Sequence, residues 1–299
     1  MKKILIFTAV LTILAACSDN DVDTNSSTAD TTNQPEIKTP KKGSPEYYQN
    51  MSEDNLWDLA DKGDSLAQYT LGTIYYRGGD YMDAYKLFMS AVGKQDTGDS
   101  STKGIKNQNA DAQAMIGMLH YSNHAPIEQD FAIAKEWLLL AAQQNNILAM
   151  NILGEMYEKG FHNEDFVYTP DYLEAIKWYS LAAEQDSIFA LGKLAYIYTY
   201  VDAIEADPER VVQYHQQMAD LGDAFAQTII GRHHLEGNML RKNYQKALGY
   251  FELAAEQNYI DAFSYLGAMY SEGKGVGVDY TNAKNYYKKG CELGAPFKC

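Results

Sequence analysis

Residues 262–291 read AFSYLGAMYSEGKGVGVDYTNAKNYYKKGC, and the spacing inside this stretch decides the fold. Ala262, Leu266, Gly267 and Tyr270 recur at helical steps, so they share one face of a helix. Ala283, Tyr286 and Tyr287 open a second apolar face a little further on. Between the two lies Gly273-Lys-Gly-Val-Gly277, which lacks the Lys-Ser/Thr ending that cradles phosphates and reads as a helix-to-helix turn. The stretch is therefore an antiparallel helical hairpin.

The same hairpin recurs toward the N-terminus. Its first half appears as Ala67, Leu71, Gly72, Tyr75, then Ala112, Ile116, Gly117, His120, then Ala149, Leu153, Gly154, Tyr157. It continues as Ala190, Leu194, Ala195, Tyr198, then Ala226, Ile230, Gly231, His234, before the copy at Ala262. The glycine position advances by 45, 37, 41, 36 and 36 residues. The second half reads Ala-x-x-aromatic-aromatic-x-x-Ala-Ala: Ala134, Trp137, Leu138, Ala141, Ala142; Ala175, Trp178, Tyr179, Ala182, Ala183; and Ala247, Tyr250, Phe251, Ala254, Ala255. Ala and Gly let two helices approach closely, while the aromatic residues fill the space between hairpins. No unit buries its apolar stripe alone, so six stacked units are needed to make one continuous core.

These residues resemble the Sel1-like repeat, a relative of the tetratricopeptide repeat, over roughly 64–299. The resemblance implies an all-α, right-handed solenoid of about six hairpins. Tyr270, Gly273, Gly275, Val276, Asp279, Ala283, Tyr286 and Tyr287 fit its Tyr-x-x-Gly-x-Gly-Val loop and second helix most fully. Other units depart from it: the first carries an extra loop near Thr97–Gln108, the third a longer connector through Phe161–Pro170, and the fourth Ala195 in place of glycine. Residues 46–63, with Leu56–Gly63 read as the second helix of a half-repeat, are expected to cap the open end.

The N-terminus carries an address. Lys2 and Lys3 precede an apolar run from Ile4 to Leu14, the pattern of a secretory signal peptide over 1–16, too short for a stable membrane span. Leu14-Ala-Ala-Cys17 resembles a bacterial lipobox, which implies cleavage before Cys17 and acylation of that cysteine. Each buried acyl methylene contributes roughly 0.8 kcal/mol of anchoring, so the lipid would hold a soluble domain at a membrane. Ser18 implies the outer membrane, with the folded part facing the periplasm. Residues 17–45 are polar and read as a disordered tether with a reach of roughly 30 Å.

The whole chain of 299 residues carries 25 Lys plus Arg against 40 Asp plus Glu, a net charge of −15, which repels rather than steers in a nucleic acid. No cofactor or metal is called for. Ser271-x-x-Lys274 spells a serine-enzyme motif, but it lies in the repeat's own connector, no Lys-Thr-Gly follows, and Ser18-Asp-Asn20 precedes it in the wrong order. His120 and His124 are four apart and His233 and His234 adjacent; because His120 and His234 align with the repeat tyrosines, aromatic packing is favoured over metal ligation. Cys291 and Cys299 are spaced like the paired cysteines of a cysteine-rich Sel1-repeat subgroup, which implies a disulfide between adjacent helices. Closing so short a loop contributes roughly 2–3 kcal/mol in the chain-entropy account. Members of that subgroup have been linked with β-lactam binding, so a β-lactam-binding or cell-wall-directed hydrolase is the rival from another class.

In stacked hairpins the first helices line the concave side. With the repeat alanine as position zero, positions two, six and nine lie opposite the contact residues, and they supply the candidate recognition stripe: Tyr69, Tyr76, Met118, Tyr121, Glu155, Glu158, Tyr196 and Arg232. Tyr and Met are enriched at interfaces, and the acids suit a basic protein or peptide partner. The expectation is a non-catalytic lipoprotein that binds another protein, either as an envelope adaptor or, as for some periplasmic relatives, as an immunity protein against a secreted effector.

Overall fold

The computed structural model describes residues 41, 44–94, 102, 104–105, 108–122, 124, 126–162 and 167–294. The expected signal peptide, the acylated Cys17, the tether up to Pro40, most of the 97–108 loop and Cys299 lie outside these residues. The described residues all belong to one compact unit, Lys41–Cys299.

Fourteen helices follow one another among the described residues. A short pair, α1 (Pro45–Gln49) and α2 (Glu53–Ala60), precedes six hairpins. These are α3 (Ser65–Gly78) with α4 (Tyr81–Ala91), α5 (Ala110–Tyr121) with α6 (Phe131–Ala142), and α7 (Ile147–Lys159) with α8 (Tyr172–Ala183). The remaining three are α9 (Ile188–Tyr200) with α10 (Pro208–Asp220), α11 (Ala224–Glu236) with α12 (Tyr244–Glu256), and α13 (Ile260–Glu272) with α14 (Tyr280–Glu292). Helices pack mainly on their neighbours in sequence, and α5 also touches α7, so the chain is an α/α solenoid. One departure from pure helix stands in the long third connector, where β1 (Phe161–His162) pairs antiparallel with β2 (Val167–Tyr168).

Ten of these fourteen helices begin where the sequence offers a short polar side chain to the orphan N–H groups; α1, α2, α4 and α13 start without such a bond. Asp64, Asn109, Asn146, Ser187 and Asp223 accept backbone hydrogen bonds at the starts of α3, α5, α7, α9 and α11. Asp130, Asp171, Asp207, Asn243 and Asp279 do so for α6, α8, α10, α12 and α14. The same second-helix caps close the hairpins. The N–H groups of Asp130, Asp171, Asn243 and Asp279 donate to the carbonyls of His120, Tyr157, His234 and Tyr270 at 2.8–2.9 Å, and Asp207 reaches Tyr198 at 3.4 Å. The aromatic position of each first helix is thus pinned through its backbone.

The repeat glycine is explained by what faces it. A Cβ added at Gly72, Gly117, Gly154, Gly231 or Gly267 would stand 2.5, 2.7, 2.6, 2.8 or 2.7 Å from Phe88, Leu138, Tyr179, Phe251 or Tyr287 respectively. Each of those side chains lies eight residues after the cap residue of its helix, and Phe88, Leu138, Tyr179 and Phe251 are fully buried. In the fourth unit the glycine is Ala195, and His215 stands at the corresponding place on α10. Within a hairpin, side-chain amides tie the residue that follows the second helix back to the first: Gln144 Nε2 donates to Gln113 Oε1 at 2.8 Å, and Gln257 Nε2 to Gln227 Oε1 at 3.0 Å. Ahead of the first hairpin, Tyr48, Leu56 and Ala60 pack with Ala67, Leu71 and Leu87, covering the apolar flank of α3.

Candidate functional site

The eight candidate residues divide by what holds them. Tyr69 and Tyr76 are half-buried on α3. Tyr69 leans on Phe88 with centroids 5.9 Å apart, and Tyr76 packs edge-on against Tyr81 at 5.4 Å and His124 at 6.1 Å. Burial pushes both phenols above their ordinary pKa of 10. Met118 and Tyr121 on α5 are likewise half-buried against the central core. Burial, and then the negative charge of Glu155, push the Tyr121 phenol up.

On α7 and α9 the geometry is more polar. The buried Tyr179 hydroxyl donates to Glu158 Oε2 at 2.6 Å, and Lys193 Nζ of α9 meets the same oxygen at 2.9 Å. Glu155 pairs with Lys159 one turn along α7. Both acids are therefore neutralised locally by lysines from the same surface, and the Glu158–Lys193 pair links α7 to α9. Of the eight candidates, Tyr196 alone is largely exposed; Arg232 on α11 is half-buried. The structure brings Tyr121, Glu155 and Glu158 into one electrostatic group and leaves Tyr69 and Tyr76 in another, with Tyr81 and His124.

Two exposed residues of this surface escaped the sequence reading. Phe189 and Tyr200 fall one residue before and ten residues after the repeat alanine of α9, outside positions two, six and nine. A helical step of four or three from Tyr196 would have found Tyr200, and a second such step, through Lys193, would have found Phe189.

The chemistry-bearing residues have structural partners. His120 Nδ1 lies 3.1 Å from the Glu128 carbonyl, which can only accept, so Nδ1 carries the proton and Nε2 accepts from the Tyr85 hydroxyl at 3.3 Å. Burial holds this imidazole below its usual pKa, which keeps it neutral. His234 donates through Nδ1 to the Arg241 carbonyl at 3.0 Å and stacks on Tyr250, while His233 donates to the Asn238 carbonyl at 2.9 Å. His124 stacks on Tyr81 with centroids 4.3 Å apart. Among the described residues no group of three or more His, Cys, Asp or Glu could hold a metal ion. Ser271 Oγ donates to the Ala268 carbonyl at 2.9 Å, and Lys274 Nζ pairs with Glu272 at 2.5 Å, so neither side chain activates the other.

A separate cavity of about 510 Å³ lies where the connectors of the third and fourth hairpins meet, lined by Leu153, Met156, Tyr157, Tyr172 and Ile204. Lys135 enters it with its ammonium 5.0 Å from the Tyr157 ring centre. Cys291 is half-buried near the end of α14, and its expected partner lies outside the described residues. No helix among the described residues is long and apolar enough to cross a membrane.

The profile of the Sel1 repeat matches residues 110–146, 147–187, 186–223, 224–259 and 262–294, which together exceed half of the chain. The chain belongs to the Sel1-repeat family. Those matches correspond to the hairpins from α5 onward; α3–α4 lies ahead of them yet carries the same glycine-to-aromatic approach, Gly72 against Phe88. A Sel1 repeat protein from Oxalobacter formigenes superposes with a TM-score of 0.54 at 27% identity, covering 76% of this chain and 83% of that one. A protective antigen present in uropathogenic Escherichia coli strains, with the same repeat fold, superposes with a TM-score of 0.55 at 23% identity, covering 82% of this chain and 57% of that one. An uncharacterized protein of Neisseria meningitidis serogroup B is 30% identical over 88 residues, 29% of this chain and only 19% of its own length. The Sel1-repeat hairpins thus account for the buried glycines, aromatics and histidines alike.

Proposed function

We propose that this Sel1-repeat chain is a non-catalytic binding protein that engages a partner protein through the first-helix face of its solenoid. Acylated Cys17 would tether it to the outer membrane, facing the periplasm. The observation that carries the reading is the ordered polar surface of α7 and α9: Glu155, Glu158, Lys159 and Lys193 are fixed by mutual ion pairs beside the exposed Tyr196. Groups held in place before contact lose less side-chain entropy on binding. The envelope adaptor and the immunity protein against a secreted effector make the same demand on this face and differ in who the partner is.

The test is co-purification of the acylated chain with its partner from the native envelope, followed by reconstitution from the two purified proteins. The face variant Glu155→Lys/Arg232→Glu serves as control, with thermal unfolding confirming that it folds. A one-to-one complex that the variant loses supports the reading, and protection of cells from the partner's toxicity assigns the immunity role. Recovery of no stoichiometric partner, or a complex unaffected by the variant, overturns it. Acylation is read separately, as loss of labelled palmitate incorporation in Cys17→Ala.

A further inference from the structure

We propose that the exposed face of α9 is a docking site for an arginine-bearing segment of the partner protein. This rests on the protein-binding reading and adds the chemistry that the partner must present. Phe189, Lys193, Tyr196 and Tyr200 are spaced by four, three and four residues, so they form one stripe along α9. Phe189, Tyr196 and Tyr200 are 48%, 50% and 70% exposed, and the two tyrosine rings lie 5.3 Å apart at 44°. The matching positions on α7 hold Leu148, Ile152, Glu155 and Lys159, and those on α11 hold Phe225, Ile229, Arg232 and Glu236, so neither neighbour offers three rings.

Charge decides what covers this stripe. Lys193 is neutralised by Glu158 at 2.9 Å. Directly beyond Tyr200, Asp202 and Glu205 are exposed and have no hydrogen bond or ion pair among the described residues. The nearest cation in sequence, Arg210, is already taken: its Nη1 donates to the Tyr198 hydroxyl at 2.5 Å, and its Nε pairs with Asp207 at 3.2 Å. Exposed tyrosine faces beside uncompensated carboxylates are complementary to a guanidinium, whose plane stacks on a ring while its fork reaches an acid. An ammonium offers only a point charge, so arginine is favoured over lysine. A second copy of the chain is disfavoured by the net charge of −15 on each.

The full-length acylated protein in detergent micelles is titrated with three fluorescein-labelled fifteen-residue peptides, repeats of Arg-Leu-Ser, Lys-Leu-Ser and Glu-Leu-Ser, by anisotropy. The expected order is arginine tighter than lysine, with no binding of the glutamate peptide. Tyr196→Ala/Tyr200→Ala leaves the net charge unchanged, so a loss in this variant reports the rings and not the overall field; about tenfold weaker arginine-peptide binding is expected. Asp202→Asn/Glu205→Gln is expected to weaken it similarly and to flatten its salt dependence. Equal binding of the glutamate peptide, or arginine-peptide binding unchanged in the ring variant, overturns the proposal, as does self-association that the ring variant abolishes. The native partner separates the two levels: if it binds wild type and ring variant alike, this docking site falls while the protein-binding reading stands, and if wild type captures no partner, that broader reading falls.

Discussion

The close approach of glycine to aromatic predicts that one substitution will have opposite signs on the two helices of a single hairpin. Gly231 on α11 faces Phe251, and an added Cβ would lie 2.8 Å from its Cε1 and 3.0 Å from its Cδ1. Phe251 cannot yield, because it is fully buried and stacked on Tyr265 with centroids 4.6 Å apart and planes 3° apart. Gly249, in the interior of α12, has nothing within 4 Å of the place a Cβ would take. Replacing a helix-interior glycine by alanine gains about 1 kcal/mol in helix propensity. At Gly249 nothing opposes that gain, so Gly249→Ala should stabilise by about 1 kcal/mol. At Gly231 overpacking costs about 1–3 kcal/mol, which outweighs the propensity gain, and Gly231→Ala should destabilise by about 1 kcal/mol. The gap of about 2 kcal/mol corresponds to roughly 0.7 M in urea midpoint at an m-value of about 3 kcal/mol/M. Urea unfolding followed by circular dichroism at 222 nm measures it. Midpoints that move in the same direction for both variants would refute the packing argument.

Tyr179→Phe removes the hydroxyl that donates to Glu158 at 2.6 Å while keeping the ring against Gly154. It should cost about 1.5–3 kcal/mol, and a double-mutant cycle with Glu158→Gln should recover most of that as coupling. In the wild type, burial and then the bond to Glu158 hold this phenol far above its ordinary pKa, so absorbance titration should leave Tyr179 un-ionised when the exposed tyrosines have titrated, and Tyr179→Phe should remove that late-titrating group. His215 predicts a pH dependence. Burial first, with the charges of His233 and Arg232 adding to it, depresses its imidazole below 6.5 against the opposing pull of Asp223 and the Val211 carbonyl. The folded state then binds fewer protons than the unfolded one, so this contribution is complete above pH 6.5 and is lost as pH falls below it. Buried His120 acts with the same sign. His215→Leu should reduce the decline in unfolding midpoint between pH 6.5 and 5.5, and an undiminished decline would show that His215 is not a source.

The six hairpins and their order were legible because the Ala-x-x-x-Leu/Ile-Gly spacing is a packing constraint that recurs in every unit but the fourth, where Ala195 replaces the glycine; the short helix α1 carries no copy of it. What that spacing could not state was the partner of each glycine. Phe88, Leu138, Tyr179, Phe251 and Tyr287 are linked to it only across the hairpin, at separations that change with connector length. The helix starts were readable in principle, since Asp130, Asp171, Asp207, Asn243 and Asp279 each stand eight residues before the packing position. The candidate surface was only partly legible. Taking the face diametrically opposite the core treats each first helix as if it stood alone. In the solenoid α5 also packs on α7, so Met118 and Tyr121 are half-buried, and on α9 the exposed stripe is rotated to include Phe189 and Tyr200.

The capping pattern also changes what the charge of the chain means. Of its 40 acidic residues, Asp64, Asp130, Asp171, Asp207, Asp223 and Asp279 accept hydrogen bonds from backbone N–H groups at helix starts. Each of these carboxylates faces the positive end of a helix dipole, so part of its field is compensated where it stands. Repeating a capped helix raises the acid count with every unit, whatever the partner. A net charge of −15 is therefore a weak argument for a basic partner when taken over the whole chain. Glu155 and Glu158, which drew attention in the sequence, are weaker still, because Lys159 and Lys193 neutralise them. Asp202 and Glu205 differ in kind: they cap no helix, pair with no cation among the described residues, and follow directly on the most exposed tyrosine of α9. Neutralising those two should therefore change partner binding more than removing any two of the capping aspartates, whose loss should appear in stability instead, at about 1 kcal/mol each.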